Sequence, residues 1–360
     1  MSSLMMQTER VMLAHGGGGE LMQRLIREHV LPNLQSGGAT VMKRVVSASS
    51  SRRSVSDGTL TDSAIVPWHG ADVVFTTDSY VVTPIEFPGG DIGRLAVCGT
   101  VNDLAVMGAE PIAISLGLIL EEGLPLETLD RVMRSIGIAA HEAGVEIVTG
   151  DTKVIERRSD EPELMINTAG VGRLRADANL SIARVTPGDC VLINGPIAEH
   201  GLAITSVRSG LEFDTPLRTD AAPLNSLIVH LLDSGADVKF LRDATRGGLA
   251  GVLADISEES GLSIEIDESK VPISSTARQA AEMLGLDPLT VANEGKVVCV
   301  VSQSDCAKAL TQMRAHGLGW HATCIGVMTE DRPPLVELVT RLGGRRIVQR
   351  PYGEELPRIC

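Results

Sequence analysis

The chain has 360 residues, 46 of them acidic and 32 Lys or Arg, for a formal net charge of −14. That balance excludes a nucleic-acid or anionic-membrane binder, which needs clustered Lys and Arg, and an apolar content of 43% excludes a disordered chain. At ~150 residues per domain, the length predicts two domains.

In chain order, Val11-Met-Leu-Ala-His15-Gly-Gly-Gly-Gly-Glu20 leads into a helix pattern with Leu21, Leu25, Ile26 and Val30 on one face. Gly16, Gly17 and Gly18 before a helix N-terminus read either as an anion cradle of backbone N–H groups or as a connector. No Gly-x4-Gly-Lys-Ser/Thr occurs, so this is not a Walker A loop. Residues 35–63 are rich in Ser, Gly and Arg without apolar periodicity, and read as a mobile insertion. A strand is predicted over about residues 72–77, ending at Asp78-Ser79. Pro88-Gly-Gly-Asp-Ile-Gly93 turns into a helix running towards Asn102-Asp103. Pro111–Leu120 reads as a buried strand, too short to span a bilayer. Leu126, Leu129, Val132, Ile136 and Ala140 mark an amphipathic helix over 125–143. Short strands follow at 146–149, before Gly150-Asp151-Thr152-Lys153, and at 164–171.

A turn at Arg184-Val-Thr-Pro-Gly188 starts a second round of the same elements. Cys190–Ile193 is a strand, Gly195–Gly201 leads into a helix, and Arg242-Asp243-Ala-Thr-Arg246-Gly-Gly248 precedes another. Ala292-Asn-Glu294-Gly-Lys296 is a tight turn into the strand Val297–Val301; a helix at 304–316, a strand at 322–327 and a hairpin turn at 341–345 follow. Alternating strands and helices in two halves predict an α/β (α+β) protein of two domains, 1–183 and 184–345, with a mobile tail over 346–360. The N-terminus carries no secretion-signal pattern, and the six cysteines show no Cys-x-x-Cys spacing. Cys98, Cys190, Cys299, Cys306 and Cys324 fall in apolar segments and read as small buried hydrophobes. A cytoplasmic home is expected.

Four acids, Asp78, Asp103, Asp151 and Asp243, sit near ends of apolar elements beside Gly, Ser, Thr or Asn. Each alone also reads as a cap or turn residue. Together they suit Mg²⁺, which an acidic chain needs in order to hold a triphosphate. Lys153 and Glu294 read as proton acceptors or phosphate contacts, or as solvated charges. Arg246 amid glycines reads as a phosphate contact or a surface charge, and His15 as a cap of the glycine loop. The sharpest feature is the tail, Pro351-Tyr-Gly-Glu-Glu-Leu-Pro-Arg-Ile-Cys360, which has no periodicity and ends in a thiol. Eight residues from Gly353 span ~25 Å when extended, enough for a nucleophile that carries a group between sites.

These blocks, with Thr77-Asp78-Ser-Tyr-Val-Val82, Phe87-Pro-Gly-Gly90, Leu120-Glu-Glu-Gly-Leu-Pro125 and the terminal Pro357-Arg-Ile-Cys360, resemble the hydrogenase-maturation carbamoyl dehydratases, the HypE family. The resemblance covers nearly the whole chain. The blocks other than the terminus are shared with aminoimidazole ribonucleotide synthetase, selenophosphate synthetase and thiamine monophosphate kinase. The resemblance implies a two-domain aminoimidazole ribonucleotide synthetase-like fold, with mixed sheets covered by helices, that forms a homodimer with ATP near the subunit interface. It implies that the carbamoyltransferase HypF loads Cys360, that ATP drives dehydration of the S-carboxamide to a thiocyanate, and that cyanide passes to iron on HypC–HypD. Asp78, Asp103, Asp243 and Asp151 would then hold Mg²⁺. His15, Gly16, Gly17, Gly18, Asn102, Thr152 and Arg246 would contribute to nucleotide binding, and Glu294 with Lys153 would move the proton. Two other readings remain open at this point: a small-molecule ATP-using enzyme of the same fold, and a nucleotide-gated scaffold without catalysis.

Overall fold

The computed structural model describes residues 11–12, 15, 19–36, 62–69, 71–158, 161–211, 213, 217–353, 356 and 358–360. The glycines 16–18 and residues 37–61 of the expected insertion lie outside them. Helix α1 (Glu20–Leu25) continues through a π turn (Ile26–Val30) into α2 (Leu31–Ser36).

The N-terminal sheet opens with the hairpin β1 (Ala64–Trp68) and β2 (Ala71–Tyr80). A two-residue ribbon of β3 (Glu86–Phe87) and β4 (Gly90–Asp91) leads into α3 (Ile92–Val106). Asp91 caps α3, its carboxylate accepting the N–H groups of Gly93 and Arg94 at 2.8 and 2.9 Å. Then come β5 (Ala109–Glu121), α4 (Leu126–Ala143), β6 (Glu146–Ile155) and β7 (Leu164–Leu174). The strand order is β1-β2-β7-β5-β6, with β5 and β6 parallel across α4. Helices α3 and α4 cover one face, where Ile92, Leu95, Val101, Ile114 and Ile166 are buried. Gly99 is what lets α3 approach β2, since a Cβ there would stand 2.1 Å from the Tyr80 hydroxyl. β2 and β6 both outrun their predicted ends, so Asp78 and Asp151-Thr152-Lys153 lie within strands rather than after them.

The C-terminal domain runs β8 (Cys190–Ile193), α5 (Glu199–Arg208), α6 (Asn225–Asp233), β9 (Val238–Asp243), α7 (Gly248–Ser260), β10 (Ser263–Asp267), α8 (Ser275–Leu284), β11 (Val297–Val301), α9 (Cys306–Ala315), β12 (Thr323–Thr329), β13 (Val336–Val339) and β14 (Arg345–Val348). Its seven strands are ordered β14-β13-β10-β12-β8-β11-β9. β11 is apolar throughout and buried throughout, as a central strand covered on both faces requires. Alternation sends Val191, Ile193, Val298 and Val300 to the face packed by α7 and α8, and Leu192, Val297, Cys299 and Val301 to the face packed by α6 and α9. β14 crosses the expected boundary at 345, so the tail starts only after Val348.

Candidate active site

A cleft of about 430 Å³ lies between the two domains. Alternation along β2 turns Thr76, Asp78 and Tyr80 to one face, and the four-residue spacing of Gly99 and Asp103 puts both on one side of α3. β9 delivers Arg242 and Asp243 to the cleft. The turn into α7 carries Arg246 past Gly247 and Gly248, whose φ angles of +80° and +61° suit glycine. Asp62, Glu294 and Cys360 complete the acidic and nucleophilic lining.

The carboxylate oxygens of Asp62, Asp103 and Asp243 lie within 4.8 Å of one another. Thr76 Oγ1 donates to Asp103 at 2.7 Å, and the Tyr80 hydroxyl donates to Asp78 at 3.0 Å. Burial first, and then the charges of Asp78, Asp243 and Asp62, push Asp103 well above the usual carboxylate range. Asp243 is pushed up by burial and by Asp62 and Asp78, against the pull of Arg242. Such a crowd of hard oxygen donors, short of positive charge, fits a divalent cation of the Mg²⁺ class.

Glu294 is buried, at 2% exposure. Its position is fixed through its backbone: its N–H donates to Asp220 Oδ1 at 3.0 Å, and its carbonyl accepts from Asn102 Nδ2 at 3.2 Å. Gly295 is required beside it, because a Cβ would lie 2.0 Å from the Asp220 carbonyl oxygen. Glu294 Oε1 has no hydrogen-bond partner among the described residues. Burial, followed by the charges of Asp243 and Asp220, raises this carboxyl well above its ordinary value, while Arg246 opposes the rise. A buried carboxyl with an open oxygen and a raised pKa has the properties of a general base.

The tail is docked inward. Val81 N–H donates to the α-carboxylate of Cys360 at 3.2 Å and Thr83 N–H to the Arg358 carbonyl at 3.1 Å. Ile359 is buried in the N-terminal core, and Arg358 pairs with Glu163 at 2.6 Å. His200 Nε2 lies 2.7 Å from the Ile359 carbonyl, and Nδ1 lies 2.7 Å from Thr219 Oγ1. A carbonyl only accepts, so Nε2 carries the proton. Burial lowers the His200 pKa and keeps the ring neutral. The charge of Cys360 heads those that hold the Arg246 guanidinium protonated.

The fold therefore brings together Asp78, Asp103, Asp243, Arg246, Glu294 and Cys360. It does not bring Asp151, Thr152 and Lys153 to the same cleft. They lie on β6, at the far edge of the sheet from β2, and Lys153 stands 3.7 Å from Asp151 among exposed neighbours. Register places Asp151 and Lys153 on the face opposite to Asp78. Asn102 is a clamp rather than a ligand, since its amide is engaged by the backbones of Ala222, Glu294 and Leu224. His15 is outside the lining and hydrogen-bonds to Met12. The N–H groups of Glu20 and Leu21 donate to the carbonyls of Pro351 and Tyr352, so the start of α1 binds the tail, while the glycines of the expected anion cradle lie outside the described residues. The sequence reading missed Asp62, Tyr80, Arg242, Asp220, Lys296 and His200. Asp62 was hidden in the Ser- and Arg-rich stretch, and Lys296 was visible only as the end of the 292–296 turn.

Over residues 60–174 the chain matches the family model of the AIR synthase related protein, N-terminal domain, and over 186–337 that of its C-terminal domain. It is 47% identical to the carbamoyl dehydratase HypE of Cupriavidus necator, over 81% of this chain and 83% of that one. A crystal structure of the hydrogenase maturation protein HypE in complex with ATP superposes with a TM-score of 0.77 at 40% identity, over 98% of this chain and 100% of that one. HypE from a HypE–HypF complex superposes with a TM-score of 0.76 at 48% identity, over 81% and 93%.

Proposed function

The chain belongs to the HypE carbamoyl dehydratases, within the AIR synthase-related fold family, and from that premise we propose that it uses ATP to dehydrate a carbamoyl group carried on its own Cys360 to a thiocyanate, in hydrogenase maturation. The single observation that carries this reading is the seating of Cys360 in the wall of the acidic cleft, which Arg246 and Glu294 also line. A small-molecule enzyme of the same fold has no use for a tail threaded to that point, and a scaffold has no use for a buried proton acceptor.

An amide oxygen is a poor leaving group, and phosphorylation makes it a good one. The carboxamide oxygen attacks the γ-phosphorus of ATP, ADP departs, and the nitrogen gives up one proton. Glu294 then takes the remaining N–H proton as the carbon–oxygen bond breaks, leaving S–C≡N and phosphate. Asp62, Asp103 and Asp243, with Asp78 beside them, would hold Mg²⁺, which when bound offsets the charge of the triphosphate. Arg246 provides fixed positive charge close to Cys360. The docked tail supplies positioning, since Ile359, the Arg358 carbonyl before it and the Cys360 carboxylate after it are all held.

HypF would supply the carbamoyl group and HypC–HypD would accept the cyanide, in the cytoplasm. No helix of the described residues is long and apolar enough to cross a membrane. Mass measurement of the C-terminal peptide tests the reaction. Incubation with HypF and its carbamoyl donor should add one carbamoyl group at Cys360, and Mg²⁺ and ATP should then remove one water. Loss of water from a protein lacking Cys360 would refute the assignment.

The cleft carboxylates set a pH dependence. Asp103 and Asp243 have folded pKa values above the unfolded 3.8, so the metal-free native state binds more protons than the unfolded state between those values. Their ionisation thus destabilises the metal-free fold as pH rises through the folded pKa, and acidification relieves it. Mg²⁺ should raise the Tm more at about pH 8 than at about pH 5.5. Equal shifts at both pH values would remove these acids from the metal site.

Lys153 and Asp151 enter this reading through a second copy. The outer face of the N-terminal sheet leaves Phe75, Ile119 and Lys153 exposed, and a homodimer through that face would present Lys153 to the partner's cleft. Lys153→Ala and Glu294→Gln chains, each inactive alone, should then complement on co-assembly, since the mixed dimer holds one intact site. With random pairing, about a quarter of the sites recover. No recovery in a verified mixed dimer would return Lys153 to the surface.

A further inference from the structure

Cys190, Cys306 and Cys324 do not behave as the buried hydrophobes their sequence context predicts. Cys98 and Cys299 are sealed at 0% exposure, whereas these three are only partly buried. They come from three separate elements, the first residue of β8, the first of α9 and the second of β12, yet their Sγ atoms all lie within 4.8 Å of one another. They pack against the α6 and α9 side of the C-terminal sheet, while α7 and the cleft belong to the other side.

Three sulfurs on one metal ion with bonds of ~2.3 Å stand ~3.8 Å apart in tetrahedral geometry. The present separations therefore need to close by no more than about 1 Å, within the reach of side-chain rotation. The group holds sulfur alone, without a carboxylate or imidazole, so it suits a soft ion and rejects the Mg²⁺ favoured by the acidic cleft. Partial exposure leaves the three sulfurs open to solvent, so that a water would be the fourth ligand.

We propose that Cys190, Cys306 and Cys324 form a three-thiolate site for a single divalent d10 ion of the zinc class, separate from the catalytic cleft. Binding forms three sulfur–metal bonds, and each thiol gives up its proton to solvent.

The test uses the full-length chain carrying Cys360→Ser, to remove the terminal thiol, in reducing buffer with excess Mg²⁺ to occupy hard-ligand sites. Cadmium, as a spectroscopic substitute for zinc, should give thiolate-to-metal charge-transfer absorption that saturates at one equivalent, and zinc should bleach it. Bound metal should protect Cys190, Cys306 and Cys324 from iodoacetamide in peptide maps. Cys324→Ser and, independently, Cys306→Ser should each weaken binding at least about tenfold, with circular dichroism identifying any variant that fails to fold. No charge-transfer band, a band unaffected by both substitutions, or a Cys190–Cys306 disulfide that forms in preference to metal binding would overturn the proposal.

Discussion

Glu294→Gln is expected to take up the carbamoyl group on Cys360 and bind ATP as the parent does, yet convert the adduct about 10²- to 10⁴-fold more slowly, the usual contribution of a positioned general base. Gln keeps the side-chain shape and leaves the backbone contacts to Asp220 and Asn102 in place. The loss is therefore chemical rather than structural, and a single-turnover assay on preloaded protein isolates it. The pH profile gives a second readout. A base works deprotonated, so the parent rate should climb as pH rises through the elevated Glu294 pKa, well above the ordinary carboxylate range. That limb should vanish in the Gln variant. A variant that dehydrates the adduct at the parental rate would transfer the proton acceptor's role to another group.

What could be read from the sequence divides along physical lines. The amphipathic period of 125–143 and the unbroken apolar run of 297–301 became α4 and β11, because burial of one helix face or of a whole strand leaves a local imprint. Asp103 and Asp243 stood out through their Gly, Asn and Thr neighbours, and they do converge. Asp62, the third member of that group, has neighbours of the same kind, Thr61 and Ser63, but lies at the end of the Ser- and Arg-rich stretch that reads as an insertion. Asp151 and Lys153 have the same kind of neighbours, but their distance from Asp78 within one chain depends on strand order, β2-β7-β5-β6, and on which face each residue takes, neither of which a local motif encodes. Asn102 enters the nucleotide-binding set only through the resemblance, yet a position adjacent to Asp103 on a helix turns to a different side, and there its amide ties down the loops that carry Glu294. His200 gave no signal in sequence, since its partner in space is a backbone carbonyl of the tail 159 positions away.

The second large effect concerns what holds Glu294 up. Lys296 is 8% exposed, and its ammonium lies 2.8 Å from Asp220 Oδ2, while Asp220 Oδ1 accepts the Glu294 N–H. Burial by itself would raise the Asp220 pKa, but above all the charge and hydrogen bond of Lys296 hold it below 3.8. Lys296→Met removes the cation and strands a buried carboxylate, which is expected to cost about 3–5 kcal/mol in urea unfolding of the C-terminal domain. Adding Asp220→Asn should restore most of that, because the amide oxygen still accepts the Glu294 N–H and no charge remains to be solvated. The sign of the pH response separates this from a packing defect. In the parent, the depressed Asp220 pKa contributes stability that is present above 3.8 and lost as pH falls through the folded value. Without Lys296, burial dominates, the folded pKa rises above the unfolded one, and acidification should shrink the deficit of Lys296→Met. A deficit that stays constant from neutral pH to below the ordinary carboxylate range would mean that Lys296 acts through its methylenes alone. The Asp220→Asn/Lys296→Met chain also bears on catalysis: removing the Asp220 charge takes away one of the groups that raise Glu294, so the rising limb of its rate profile should move to lower pH.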